Sequence, residues 1–282
     1  PCDKTGGFAC FNREDYVAKM HETLNAKYID PNTNEERDCY KQVPPEILQE
    51  HYDKIKRIVN EGLLSGEILE EEAFAMVPPL PAAGRLYGLA KDHKEYSGIP
   101  SLRPIVSGSG SNTENISHFV DYHANGLVRN LESFLEDTPH FFRELSQLSS
   151  HELPQEITPI SIDVVGLYSN IPLDEGIAIF EEALNRRAVQ SVSTKLLVSL
   201  LSIVMYCNVF VFDGIVYQQM FGTAMGTKSA PTFANLFMGA LEYVILKNGT
   251  TKLTSLIYEN FWKRFIDDIF LLWIGTESEF ED

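Results

Sequence analysis

Two adjacent aspartates, Asp267 and Asp268, sit inside an apolar stretch: Phe265-Ile266 precedes them and Ile269-Phe-Leu-Leu-Trp-Ile274 follows. The flanks favour burial, whereas two neighbouring negative charges resist entering a low-dielectric place. A plain hairpin turn more often uses Asn-Gly or Asp-Gly. Phe261 to Ile274 therefore reads as two apolar strands joined at Asp267-Asp268, with something cationic needed to hold the acids. A divalent metal is the economical choice, and Mg²⁺ suits it because it binds through one or two carboxylates plus substrate phosphates.

A third acid has a comparable setting. Ile160-Ser-Ile-Asp-Val-Val165 alternates, with Ile160, Ile162 and Val164 on one face and Asp163 on the other. Taken alone, such an acid is most often a surface or helix-capping group. Acids from two separate strands, however, suit a site for two metal ions about 4 Å apart, which activate an attacking 3′-hydroxyl and neutralise leaving pyrophosphate. The rest of a triphosphate needs cations. Between Arg85 and Ser107, Arg85, Lys91, Lys94 and Arg103 outnumber Asp92 and Glu95, a basic island in an acidic chain. Lys91 and Arg103 are its phosphate-binding candidates, Arg being able to grip phosphate oxygens in a bidentate way. A solvated hairpin with ordinary surface cations is the plainer alternative.

Composition limits the classes. With 23 basic and 40 acidic residues the net charge is −17, which argues against a simple basic nucleic-acid-binding module. Apolar residues make up 44% and charged residues 22%, so a packed core is expected. Cys2, Cys10, Cys39 and Cys207 form no CxxC pair; reduced thiols in an intracellular protein are expected. The apolar run Leu196 to Tyr206 is too short for a bilayer, which needs about 20 residues, so no membrane partner is expected. The chain opens with Pro1 and not Met, as a fragment or processed product would.

Local patterns outline the elements. Pro44-Pro45-Glu46 opens a helix with an apolar stripe of Ile47, Leu48, Ile55, Ile58 and Val59, ending near Gly62. Pro78-Pro79-Leu80-Pro81 marks a junction. Arg85–Lys91 and Ser101–Ser107 read as paired strands, and Asn115–Leu135 as a helix. Asn170 and Pro172 open a helix carrying Leu173, Ile177, Phe180 and Leu184, and another covers Thr194–Tyr206. Asn208–Gln218 is a hairpin turning at Asp213-Gly214. Ser229 caps a long helix with Phe233, Phe237, Leu241 and Val244 on its buried side.

Three segments then carry a resemblance: Asp163-Val-Val-Gly-Leu-Tyr-Ser-Asn-Ile-Pro172, Gly222-Thr-Ala-Met-Gly226 and Arg264-Phe-Ile-Asp-Asp-Ile-Phe270. They resemble motifs A, B and C of reverse transcriptases, in the expected order. Their wording is similar to the Penelope-like retroelements, as are Tyr87-Gly-Leu-Ala-Lys-Asp-His-Lys94, Leu102-Arg-Pro-Ile-Val-Ser107 and Asn12-Arg-Glu-Asp-Tyr16. Ala90 stands where that family usually has proline, Asp92 where it has an apolar residue, and Thr227-Lys228 where it has Ser-Pro.

The resemblance implies an α+β right-hand polymerase whose antiparallel palm sheet packs on helices. It implies a fingers region over 1–112, including the basic strand pair 85–107, and a palm over 113–282. A thumb and an endonuclease domain would then lie beyond the segment, whose ending carries Glu277, Glu279, Glu281 and Asp282. The implied activity is RNA-directed DNA synthesis with Mg²⁺ or Mn²⁺, two ions per site. RNA template, DNA primer and dNTP would be its partners, and the nucleus its location, although no basic import cluster is visible.

By the same resemblance Asp163, Asp267 and Asp268 are catalytic metal ligands, assisted by the carbonyl of Val164. Lys91 and Arg103 hold the triphosphate, and Tyr168 packs under the incoming sugar and clashes with a ribose 2′-hydroxyl. Gln218, Gly222, Met225 and Gly226 cradle the nascent base pair. Two competing expectations stand beside this one. The first is a catalytically inactive or domesticated domain of the same fold that binds RNA or protein; the second, weaker, is a carboxylate-metal nuclease.

Overall fold

The structure, a computed structural model, describes residues 1–29, 33–148, 156–247 and 256–281. Asp282, part of the acidic ending, lies outside the described residues. The chain opens with helix α1 (Arg13–Leu24), three short strands β1 (Lys27–Ile29), β2 (Glu36–Asp38) and β3 (Tyr40–Gln42), and helices α2 (Ile47–Leu64) and α3 (Glu70–Met76). Strands β4 (Gly84–Ala90) and β5 (Leu102–Ser107) precede helices α4 (Glu114–Val128) and α5 (Thr138–Ser146). Strand β6 (Ile157–Asp163) leads through α6 (Leu167–Asn170) to α7 (Leu173–Asn185) and α8 (Thr194–Tyr206). The hairpin β7 (Val209–Phe212) and β8 (Ile215–Gln219), helix α9 (Ala230–Lys247), the hairpin β9 (Ile257–Phe265) and β10 (Asp268–Ile274), and α10 (Glu277–Glu281) complete the order.

Two sheets organise the molecule. The first, in the order β6-β10-β9, is antiparallel throughout. The second, in the order β3-β8-β7-β4-β5, is antiparallel except where β4 runs parallel to β7. That parallel contact joins strands from both sides of residue 112 into one sheet. The architecture is α+β, as the sequence predicts.

Helix α8 explains where the main core lies. Leu197, Leu200, Leu201 and Ile203 have no exposed surface, so the helix is covered on most sides, by α2, α4 and α7. Burying each such side chain is worth about 1.5–3 kcal/mol. Ile55 and Val59 of α2, Phe180 and Leu184 of α7, and Phe233 and Phe237 of α9 complete this core, which also reaches Ile269 of β10. A smaller core lies between α1 and one face of the five-stranded sheet, built on Met20, Leu24, Leu86, Ala90, Leu102, Val106 and Phe210.

Helix α2 ends at Leu64, near Gly62 as the sequence places it, and that glycine is a contact point: a Cβ there would stand 2.5 Å from Ile68 Cδ1 and 2.8 Å from Leu196 Cδ2. Two expectations change. Helix α4 ends at Val128 and not near Leu135, and the separate helix α5 starts where the Asp137 carboxylate accepts from His140 N–H. In α9, Phe233 and Phe237 are buried but Leu241 and Val244 are 37% and 55% exposed, because none of the described elements covers the last turns on that side.

Candidate active site

Asp163 is the last residue of β6 and Asp268 the first of β10, and the two are paired directly across the antiparallel ladder. Directly opposed residues place their side chains on one face with Cβ atoms about 5 Å apart. Both are exposed, so neither charge is stripped of water. Asp267 lies in the two-residue turn between Phe265 and Asp268, one position earlier than the sequence places that turn. Its carbonyl accepts the Val164 amide at 2.9 Å, so the end of β6 is bound to the tip of the hairpin. Ile266, the other turn residue, has φ 57°. A β-branched side chain is disfavoured there, at a cost of about 1–3 kcal/mol, so the surrounding structure must impose this turn.

The chain turns at Gly166 into α6 and brings Tyr168 to the same place. Its hydroxyl is pushed up to about 12, by burial first and by the charge of Asp267 second. Tyr168 thus stands within electrostatic reach of Asp267. Its carbonyl accepts Thr223 N–H at 2.7 Å, which ties α6 to the loop 221–227.

That loop acts as a clamp. Gly222 has φ 69°, and a Cβ there would stand 2.7 Å from the backbone of Ser169. Gly226 has φ 111°, and a Cβ there would stand 2.4 Å from Val106 O. Met225 O accepts Val106 N–H at 3.0 Å. One short loop therefore touches backbone on both sides, α6 and β5, which only glycine permits at these positions. Gln218 is already engaged: its Nε2 donates to Tyr206 O at 2.6 Å, holding the end of α8.

Strand β5 carries Arg103, opposite Leu89 of β4. Ile105, opposite Tyr87, and Ser107, opposite Arg85, share its face, which is turned away from the core under α1. Arg103 meets Asp3, a residue the sequence reading passed over. Asp3 Oδ2 lies 3.1 Å from Arg103 Nε, but neither atom has an aligned hydrogen bond, so charge holds the pair. Asp3 is brought there by its N–H, which donates to Ala90 O at 2.7 Å. Lys91 is held below the ordinary lysine range, first by burial, then by Arg103 and Lys94. The charges that act on Lys91 include those of its own corner, Arg103, Lys94, Asp3 and Lys4.

The structure therefore forms two poles, an acidic one at β6/β10 and a basic one at the end of β4/β5, joined through the 221–227 loop. Among the described residues no group of three or more Asp, Glu, His or Cys side chains is gathered to hold a metal ion. The acidic pole is an opposed carboxylate pair with a third acid in the adjoining turn. That donor set fits Mg²⁺, which keeps water and substrate oxygens in its shell and seldom takes an all-protein cage.

A second group the sequence reading passed over lies beneath the hairpin. Arg264 has no exposed surface and is paired with Glu242 of α9, Nε to Oε1 at 2.8 Å. Its sequence neighbourhood does not single it out, because Lys263 beside it carries the same charge; once buried, such a charge demands a partner.

By sequence, no family model and no curated protein matches the chain. Solved structures do resemble it. Telomerase from Candida albicans, solved in complex with the TWJ fragment of telomeric RNA, superposes over 95% of this chain with a TM-score of 0.61 and 10% identity. Apo telomerase from Candida Tropicalis superposes over 71% with a TM-score of 0.50 and 8% identity. This chain spans 43% and 40% of those proteins. A looser likeness, with a TM-score of 0.44 and 11% identity, links it to the RNA-dependent RNA polymerase of a human picorbirnavirus. The two telomerase superpositions show the fold: with the two sheets and the hairpin described above, this chain has an α+β polymerase fingers-and-palm fold like theirs.

Proposed function

We propose that the chain is the fingers-and-palm portion of an RNA-directed DNA polymerase, transferring a nucleotide from a dNTP to a primer 3′-hydroxyl. The observation that carries this reading is the direct pairing of Asp163 with Asp268 at the hairpin tip, with Tyr168 beside Asp267. An RNA template is proposed because the telomerase of like fold was solved with RNA and because the three motifs resemble reverse transcriptases. The motif wording supports a retroelement of the Penelope-like kind acting in the nucleus.

In this reading Asp163, Asp267 and Asp268 hold Mg²⁺, with the Val164 carbonyl as an accessory oxygen. The metal, when bound, supplies an activated 3′-hydroxyl and a neutralised pyrophosphate. Arg103 and Lys91 bind the β- and γ-phosphates and draw the leaving group away from the acids. Tyr168 fills the space under the sugar, and its ring excludes a 2′-hydroxyl. Gly222 and Gly226, pressed against Ser169 and Val106, set the shape of the 221–227 loop, which with Met225 and Gln218 would cradle the nascent base pair. The −17 net charge does not oppose this, because the local field in a cleft governs phosphate binding.

Primer extension on an RNA template with dNTP and Mg²⁺ tests the proposal. Activity should be lost in Asp163→Asn; equal extension by that variant would remove the acid from the chemistry. One observation favours a second reading, a non-catalytic domain that binds RNA or protein: Arg103 already has Asp3 as a partner. Calorimetry with Mg²⁺ and dNTP separates the two. Coupled uptake supports the polymerase, and RNA binding without it supports the second reading.

A further inference from the structure

We propose that Arg264 is a positioning residue, which sets the acid-bearing hairpin by gripping its turn from inside the protein. The proposal deepens the polymerase reading and rests on it for its kinetic consequence. Its structural part stands on geometry alone.

All five N–H donors of the guanidinium are used. Nε donates to Glu242 Oε1 at 2.8 Å and Nη2 to Glu242 Oε2 at 3.2 Å. Nη1 donates to Asn235 Oδ1 at 2.7 Å, and Nη2 also to Asn235 O at 3.3 Å. The fifth bond runs from Nη1 to Ile266 O at 3.1 Å. Ile266 is the turn residue with φ 57°, immediately before Asp267.

Glu242 is equally committed. Trp262 Nε1 donates to its Oε1 at 3.0 Å and Ser133 Oγ to its Oε2 at 2.5 Å. Asn235 and Glu242 lie seven residues apart, two turns of α9 on one side, and Trp262 and Arg264 lie on one face of β9. The backbone of Arg264 is held too, its N–H by Ser133 O at 2.6 Å and its carbonyl by Leu135 N–H at 2.9 Å.

This arrangement does more than neutralise a buried charge. An ion pair alone needs only Glu242. Here the rigid, planar fork also reaches the carbonyl of the one turn residue whose backbone is unfavourable. A turn held in an unfavourable state must be over-determined by its surroundings, and Arg264 supplies that constraint from α9. Asp267 and Asp268 follow Ile266 directly, so the same grip sets how they meet Asp163 and Val164.

Arg264→Lys keeps the charge but loses the fork. Asn235→Ser is a milder change that leaves the ion pair intact, and covers the case in which the lysine variant does not fold. The chain carries its own reporter: the Val164 amide, bonded to Asp267 O at 2.9 Å. In residue-resolved hydrogen exchange, we expect Val164 to exchange at least about tenfold faster in Arg264→Lys and severalfold faster in Asn235→Ser. Amides of α8 should keep their protection. In primer extension by the same proteins, kcat should fall about 10²-fold, the scale of a small misplacement, with dNTP KM within about threefold. Unchanged Val164 exchange in a folded variant overturns the proposal, as does a loss carried by KM. If the wild-type chain extends no primer while Val164 exchange still responds, the positioning role stands and the polymerase reading fails.

Discussion

Asp163 and Asp268 face each other across β6 and β10 with no residue between them in the ladder. Like charges directly opposed on a sheet repel, so this pair lowers the stability of the free protein. A fold that retains such a pair at its strand ends is suited to receiving a cation there.

The first prediction follows from that repulsion. Asp163→Asn should abolish primer extension yet stabilise the metal-free protein by about 0.2–1 kcal/mol. That corresponds to a Tm rise of roughly 0.3–2 °C for a chain of this size. Adding Mg²⁺ should raise Tm in the wild type and leave the variant nearly unmoved. Thermal melts with and without the metal decide it, and a variant that melts lower than wild type in both would contradict the account.

The clamp loop gives the second. Gly222→Ala and Gly226→Ala put a Cβ against backbone at 2.7 Å and 2.4 Å, in conformations that L side chains rarely adopt. Each should destabilise by about 1–3 kcal/mol or more, with Gly226→Ala the worse. Urea unfolding measures this. A loss of a few tenths would mean that the loop does not press on α6 and β5 as described.

Tyr168 supplies the third. Replacing it with alanine should raise incorporation of ribonucleotides relative to deoxynucleotides by about 10²-fold, the scale at which a pocket stops rejecting an added hydroxyl. The comparison is of kcat/KM for matched dNTP and rNTP. An unchanged ratio would make Tyr168 a core residue only.

The basic pole gives a prediction about pH. Lys91 is held below its ordinary value by burial and by Arg103 and Lys94, while Asp3 pulls the other way. Bound phosphate favours the protonated amine, so dNTP binding should take up a proton in the alkaline range. Affinity should weaken as pH rises through the pKa of Lys91 in the free protein. Asp3→Asn removes a raising charge, so this alkaline limb should move to lower pH. Calorimetry in buffers of different ionisation enthalpy reads the proton uptake; a limb that stays in place in the variant would take Asp3 out of the site.

Much of the fold was legible because it is local. The boundaries of α8 follow from an apolar run capped at Ser193, and the β7–β8 turn from Asp213-Gly214. The alternation of Ile160, Ile162 and Asp163 placed β6 and the outward face of its acid. The short strands β1 to β3 carry too few residues to show a period, and α5 is signalled mainly by its cap. Leu241 and Val244 fit the apolar stripe of α9 yet stay exposed, because a stripe states which side is apolar and not what covers it.

By itself the sequence determined most of the longer elements and the chemistry available near their ends: three acids at a strand end and a hairpin turn, and two candidate phosphate-binding cations on a strand pair. Tertiary structure alone decided that Asp163 meets Asp268, that β4 runs parallel to β7, that Asp3 reaches Arg103 and that Arg264 grips Ile266. The reason is physical. Periodicity and capping act over a few residues, whereas each of these relationships needs either a partner far along the chain or a buried network built around it.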